Sequence, residues 1–454
     1  MTRALAILLA AVLLCGMFTA CGEAVTPSGD GKSTTSVSTT TTTETEFDTD
    51  TSTSSQSGGR TTSLATQKAT TTKKKTKPTT IPTVPKPVTS VLTPPKTTSA
   101  RHTTTTKKPT TTKPVAVKPL VAIDPDDYYG RMQLSGDLRK AYDRIVEAVE
   151  SVEKTVDFEG LSVPKTEIMR VIQHYRDDYP QHFYLSNDGL SFAHSGGKVH
   201  TLSLTYTMSK SEVAAAKSKL QKQVDALLKD VHGGLTAYER ERILYHRLIN
   251  HVTYTASSDP EIYTMYGALV NKQAVCDGYS HALQYLLYCA GIECIRVSGD
   301  SKGIAHVWNM VKLSDKWYHV DVTWDDPLIA GINDFAGYSY FNVTEAQIKQ
   351  DHNIVQQENG YSRPAATATD FNYFKQTGPT LSSFNYSKVL AHCRAVAASG
   401  ECWAGFKVTG SVDAFIAAFS SRYFDLQAAV PGYFKRQYIQ HVESVGDTVY
   451  INIK

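Results

Sequence analysis

The chain has 454 residues and a formal net charge of +3, with 41% hydrophobic and 20% charged side chains. The charge averages two unlike parts: fifteen Lys/Arg against six Asp/Glu up to Leu120, about +9, and about −6 beyond it. A nucleic-acid partner needs a basic folded face, and the Tyr-, Leu-, Val- and Phe-rich part of this chain is mildly acidic, so nucleic acid is set aside.

In chain order, residues 1–20 read as a signal peptide: Arg3 precedes an apolar run from Ala4 to Ala20 that is slightly short for a membrane-spanning helix. The ending Phe18-Thr19-Ala20-Cys21 resembles a bacterial lipobox, which implies lipidation of Cys21 and a membrane anchor; plain secretion is the alternative. Residues 21–118 are dominated by Thr, Ser, Lys and Pro and bury too little apolar surface to offset their ordering entropy, so a disordered linker is expected. No acidic residue occurs between Thr61 and Leu120, and Pro78, Pro82, Pro85, Pro87, Pro94 and Pro95 favour extended backbone. At about 3 Å per residue such a tether reaches on the order of 200 to 300 Å, enough to carry a domain outward among anionic wall polymers.

Two folded regions are expected, residues 119–369 and a small α/β segment at 370–454. Apolar spacing predicts helices over 138–156 and 165–175, then short strands at 183–185 and 202–207 with Gly196-Gly197 as a turn. Ser209 followed by Glu212, and Thr236 followed by Glu239, are capping-box signatures for helices over 209–231 and 236–252. Past residue 370, helices are expected at 386–397 and 412–419, and strands at 403–408, 438–442 and 448–453.

The chemistry-bearing stretch runs from Ala274 to Pro327. Val275-Cys276-Asp277-Gly278-Tyr279 opens an amphipathic run that stops at Gly291, placing Cys276 at a helix N-terminus. Unpaired backbone N–H groups and the helix dipole there favour a thiolate, the nucleophilic form. Downstream, residues 305–313 and 316–324 alternate as strands separated only by Ser314-Asp315, a two-residue hairpin loop. In that register Leu313 faces Lys316 and His306 faces Thr323, so Asp321 is the diagonal neighbour of His306 on one face. His319 falls opposite Met310, on the order of 13 Å further along, which selects His306 as the partner of Asp321.

The segments VCDGYSHALQYLLYCAGIECIRVSG, HVWNMVKLSDKWYHVDVTWDDP and YFNVTEAQIKQDH together resemble the bacterial transglutaminase-like superfamily. The resemblance implies an α+β, papain-like transglutaminase-core fold, with Cys276 as nucleophile, His306 as general base and acid, and Asp321 as orienter of the imidazole. It implies acyl chemistry on peptide or isopeptide amides through a thioester, with no cofactor and no metal; no Cys/His cluster has zinc-like spacing. Hydrolysis is favoured because water is always available. Protein cross-linking by transamidation uses the same three residues, and a non-catalytic surface-binding module is the alternative from a different class. The backbone N–H of Cys276 is the first oxyanion donor, with Tyr266 or Gln273 as candidates for the second.

Bland roles are expected nearby: packing for His281 and for most of Trp308, Trp317 and Trp324, and turn chemistry for Asp325-Asp326-Pro327. Cys289 and Cys294 are expected as buried thiols, and Cys393 with Cys402 is the one candidate disulfide. The whole is expected as a monomeric, extracytoplasmic lipoprotein acting on protein or peptide substrates, some of them associated with the cell wall.

Overall fold

The computed structural model describes residues 118–326, 335–355, 361–430, 439–442 and 448–453, together with a four-residue strand at Ser33–Ser36. The expected signal peptide, Cys21 and the rest of the expected linker lie outside the described residues. Ser33–Ser36 falls inside that linker, where composition predicts no structure; its backbone pairs antiparallel with the strand Ser191–Ser195.

The first half is a helical layer with a small sheet. Helix α1 (Gly136–Glu150) buries Ala141, Tyr142, Ile145, Ala148 and Val149, one stripe at helical spacing. It stops earlier than its apolar pattern suggests. Val152 sits at φ 57°, and Thr155–Asp157 turns into strand β1, so Val156 is buried from a sheet rather than a helix. Helix α2 (Ile168–Asp178) packs Tyr175 edge-on against Tyr142. Its last carboxylate, Asp178, accepts from the Tyr142 hydroxyl (2.7 Å) and from the Gly130 and Arg131 N–H groups (2.9 and 2.8 Å).

Residues 183–185 make a single bridge through Leu185 to Tyr206 instead of a strand. The hairpin around Gly196-Gly197 is formed by β2 (Ser191–Ser195) and β3 (Lys198–Ser203), starting earlier than expected. Helices α3 (Lys210–Leu227) and α4 (Ala237–His251) follow, and both expected capping boxes are present.

The central sheet is antiparallel throughout. Helix α5 (Cys276–Cys289) leads through Gly291, at φ 72°, into β4 (Cys294–Ser301), β5 (Ile304–Leu313) and β6 (Lys316–Val320). A short strand β7 (His352–Ile354) adds to the other side of β4, giving the order β7-β4-β5-β6. The expected register holds: Leu313 pairs with Lys316, Met310 with His319 and Asn309 with Val320. Ser314 and Asp315 both have positive φ (47° and 61°), as a type I′ turn requires.

Residues 370–454 carry their own sheet, with Thr380–Leu381 parallel to Trp403–Val408 and the strands Thr448–Asn452 and Ile439–Val442 beyond it. The helix Tyr386–Ser399 covers a second apolar core containing Val389, Phe406, Phe415 and Ile451. Trp403 and Tyr450 belong to the main core, and the Tyr450 hydroxyl accepts from the Tyr338 N–H at 2.8 Å, so this segment is docked onto the central domain. Among the described residues Cys276, Cys289, Cys294, Cys393 and Cys402 all carry thiols, so the candidate Cys393–Cys402 bridge is not formed. No helix of the described residues is long and apolar enough to cross a membrane.

Candidate active site

Cys276 is the first helical residue of α5, after Val275 as N-cap. The helical ladder begins with the Tyr279 N–H donating to the Val275 carbonyl at 3.1 Å. The N–H groups of Cys276, Asp277 and Gly278 therefore have no helical acceptor and leave a positive pole beside the thiol. Gly278 is demanded by crowding: a Cβ there would lie 2.5 Å from the Ile262 carbonyl oxygen, so the preceding loop presses directly on the first turn of α5.

Two polar ties hold α5 to the sheet. Asp277 forms an ion pair with Arg296 of β4, and Asn309 of β5 donates from its side chain to the Ser280 carbonyl at 3.1 Å. The last residue of His-x-Trp-Asn is thus structural, since Asn309 fixes α5 against the strand that carries the histidine.

His306, Asp321 and Cys276 meet at one end of this sheet. His306 Nε2 lies 2.5 Å from Asp321 Oδ2, and Cys276 is among the groups whose proximity raises the His306 imidazole. With Nε2 committed to the carboxylate, Nδ1 is the nitrogen left for sulfur. Asp321 is fully buried; its Oδ1 accepts from the Thr323 and Trp324 N–H groups at 2.9 and 3.0 Å. Burial alone would raise this carboxyl, but the facing imidazoles outweigh it and hold it well below the usual carboxylate range. Burial would likewise lower His306, yet the Asp321 charge, its hydrogen bond and Cys276 push the imidazole up to about 10. The opening is narrow: Cys276 is 6% exposed and His306 7%, with the partly exposed Trp324 ring edge-on at 6.3 Å from His306.

The neighbouring residues serve other ends. His319 accepts from the Trp308 indole at 3.0 Å, away from the thiol, and burial pushes it down to about 3, so it is neutral. His281 packs inward with Nδ1 3.2 Å from the Tyr263 carbonyl. Asp325 caps the backbone of Ser339 and Tyr340, and Asp326 accepts from the Tyr279 hydroxyl. Of the oxyanion candidates, Tyr266 stacks on Phe183 at 4.8 Å, while Gln273 is exposed three residues ahead of the thiol.

One site residue has no individual role in the sequence pattern. His352 on β7 reaches Asp321 Oδ2 with its own Nε2 at 3.0 Å. Its signal in sequence is only the closing Asp351-His352 of YFNVTEAQIKQDH, and pairing by periodicity cannot foresee a strand added across the sheet. The donor atoms of His306, Asp321 and His352 lie within 4.8 Å of one another, a spacing a divalent cation tolerates. However, both nitrogens point at one carboxylate oxygen at hydrogen-bond distances, so the set is arranged to share protons rather than to surround an ion near 2 Å.

The site thus brings together a thiol at a helix start, an imidazole on β5 and a carboxylate in the turn that follows β6, on an α+β scaffold. Residues 225–322, which contain Cys276, His306 and Asp321, match the family model of the transglutaminase-like superfamily, so the chain carries a transglutaminase-core domain. The superfamily includes cysteine peptidases and transglutaminases. The chain is 29% identical over 161 residues to the kyphoscoliosis peptidase of Homo sapiens, covering 30% of this chain and 23% of that protein. It is 30% identical over 129 residues to the kyphoscoliosis peptidase of Mus musculus, covering 25% and 19% respectively. The matched region thus spans about a fifth of those relatives' length. A solved TGase structure overlaps 33% of this chain and 44% of its own, at 17% identity and a TM-score of 0.23.

Proposed function

We propose that this protein is a thiol enzyme that cleaves peptide or isopeptide amides through a Cys276 thioester. The observation that carries the reading is the His306 imidazole bound at 2.5 Å to a buried, ionised Asp321, in the same site as the Cys276 thiol at the start of α5. In the acylation step sulfur bonds to the amide carbonyl carbon, and the oxygen takes the negative charge beside the N–H of Cys276. The C–N bond then breaks as the His306 imidazolium passes its proton to the leaving amine. In the second step neutral His306 takes a proton from water, the hydroxyl adds to the thioester, and the C–S bond breaks to return thiolate, imidazolium and a carboxylic acid. Asp321 keeps the ring oriented and stabilises its charged form throughout. Water as the acceptor is the favoured course.

The test is alkylation by iodoacetamide across pH, mapped to individual cysteines by mass spectrometry. Cys294, fully buried with a thiol raised well above its usual range, is the internal control. Cys276 should label rapidly well below pH 8.5 in the wild type and slow at least tenfold in His306→Ala. Labelling of Cys276 no faster than Cys294 at every pH would sink the reading and favour a binding module. With a glutaminyl peptide library, ammonia release without incorporation of an added amine identifies hydrolysis; amine incorporation identifies transamidation.

The same proposal places the enzyme outside the membrane on a lipid anchor at Cys21, supported by the apolar run ahead of that residue and the Thr/Lys/Pro stretch after it. Loss of palmitate incorporation in Cys21→Ala supports it; incorporation that persists removes it.

A further inference from the structure

We infer that His352 is a positioning residue: a second imidazolium, clamped between Asp321 and Asp351, that shares the Asp321 carboxylate with His306 and limits how tightly His306 keeps its proton. The inference rests on the thiol-enzyme reading above and extends it beyond the three residues inside the family match.

The geometry is built by β7. His352 pairs with Ser301 and Ile354 with Gly299, while Gly299 also faces His306 across β4 and β5. A Cβ on Gly299 would lie 2.0 Å from the Asn353 carbonyl oxygen, so the missing side chain is what lets β7 close on this end of the sheet. That brings the His352 ring within 5.4 Å of His306, centroid to centroid, inside a wall of Trp308 (5.0 Å), Tyr340 (5.4 Å) and Trp324 (5.7 Å). The His352 side chain has no exposure to solvent.

Its charge follows from its partners. Nε2 is 3.0 Å from Asp321 Oδ2 and Nδ1 is 2.7 Å from Asp351 Oδ1. Asp351 is kept ionised by the histidine and by the Tyr340 hydroxyl, which donates to its other oxygen. An imidazole with a carboxylate on each nitrogen donates from both and is therefore a cation. The other charged or titratable groups facing it are His306, neutral His319 and, through Asp351, Lys302, whose ammonium lies over the Trp324 ring. The cluster thus contains two imidazolium ions and two carboxylates beside the Cys276 sulfur.

This arrangement has a chemical consequence. Asp321 alone would hold the His306 proton too firmly for ready transfer to a leaving amine. A second cation on the same oxygen takes part of that charge and repels the His306 imidazolium directly. Removing it should leave His306 a weaker acid.

The experiment compares anionic iodoacetate with neutral iodoacetamide on Cys276 of the full chain. The ratio of the two rates is high while His306 carries its proton and falls as the proton leaves, so its alkaline midpoint reads the His306 acidity. In His352→Gln, which keeps a donor but no charge, the midpoint should rise by about one pH unit. Asp351→Asn should move it the same way by a smaller amount, and it keeps the inference testable if the glutamine variant does not fold. A merely structural role would slow both reagents alike and leave the midpoint in place; that result in either folded variant overturns the inference. A wild type in which neither rate depends on His306 removes the thiol-enzyme reading itself, and this inference with it.

Discussion

Asp321 and Asp325 lie four residues apart on the same turn, and both are buried almost completely. They end in opposite states. Asp321 is met by His306 and His352 and stays ionised far into acid. Asp325 is met by the Tyr245 hydroxyl and the N–H groups of Ser339 and Tyr340, and burial still pushes it up to about 7. Asp321 accepts four hydrogen bonds and Asp325 three, a difference of one donor that is too small to separate them so widely. A cation does: neutral donors replace part of the lost hydration, whereas an imidazolium offsets the buried charge itself. The face of the turn toward the thiol is electrostatically active, and the face toward the helical layer is structural.

The sharpest way to break this contrast is Asp321→Asn. The amide can satisfy the Thr323 and Trp324 N–H groups with its oxygen, but its NH₂ then points at His306 Nε2. The ring must accept there and place its proton toward sulfur, the wrong tautomer for a base. We expect about a 10³- to 10⁴-fold loss in turnover and loss of the rapid, low-pH labelling of Cys276. A loss below tenfold would show that Asp321 does not orient the ring.

The second test uses pH and stability. Asp325 and Asp178 are both raised to about 7 by burial, so the native state holds protons that the unfolded chain releases near pH 4. Stability from these groups is full below about pH 4 and declines as pH rises through 7, on the order of 4 kcal/mol per group for the full shift. Asp321 has the opposite sign: its contribution is present above about pH 4 and is lost as pH falls below that. Urea midpoints should therefore fall between pH 5 and 8, with a separate loss below pH 4 that Asp321→Asn removes. A midpoint that is flat from pH 5 to 8 would count against the assignment of Asp325 and Asp178.

The sequence carries the active half of this contrast better than the structural half. Cys276 at a helix start, the Ser314-Asp315 turn and the hairpin register are readable because each depends on local chemistry or on a period of two. From them His306 and Asp321 are expected to meet, and they do. The ladder ends at the pair of Asn309 with Val320 rather than continuing to Thr323, so Asp321 reaches His306 from just beyond the strand. His352 does not follow from them, since it arrives on a strand 31 residues further on whose pairing is set by the space above Gly299. Asp325 reads as turn chemistry, which is correct as far as its backbone caps go. Its Tyr245 partner lies on α4, 80 residues away, and nothing local couples the two. The end of α1 escapes the pattern for a related reason: Val152 and Val156 continue a helical spacing, but the chain reverses at Val152 and buries Val156 from a strand.

Tyr245→Phe makes the finest cut between the two faces. The phenol donates to Asp325 Oδ2 at 2.6 Å and lies 3.2 Å from the backbone oxygen of Asp321, so it touches both residues. Removing it leaves a fully buried acceptor short of a donor, which costs about 1–3 kcal/mol. The cost should be larger at pH 8, where Asp325 is ionised and depends on every donor, than at pH 5, where the protonated carboxyl needs fewer. Because Tyr245 also helps to lower the Asp325 carboxyl, its loss should steepen the decline of stability between those pH values. The Asp321 carboxylate, by contrast, receives nothing from the phenol; its charge is offset by the two imidazoles. Cys276 should therefore label in Tyr245→Phe with the same pH profile as in the wild type, even though the protein unfolds at lower urea. If the labelling profile moves together with the urea midpoint, the two carboxyls belong to one coupled network, and cations at His306 and His352 cannot by themselves account for the ionisation of Asp321.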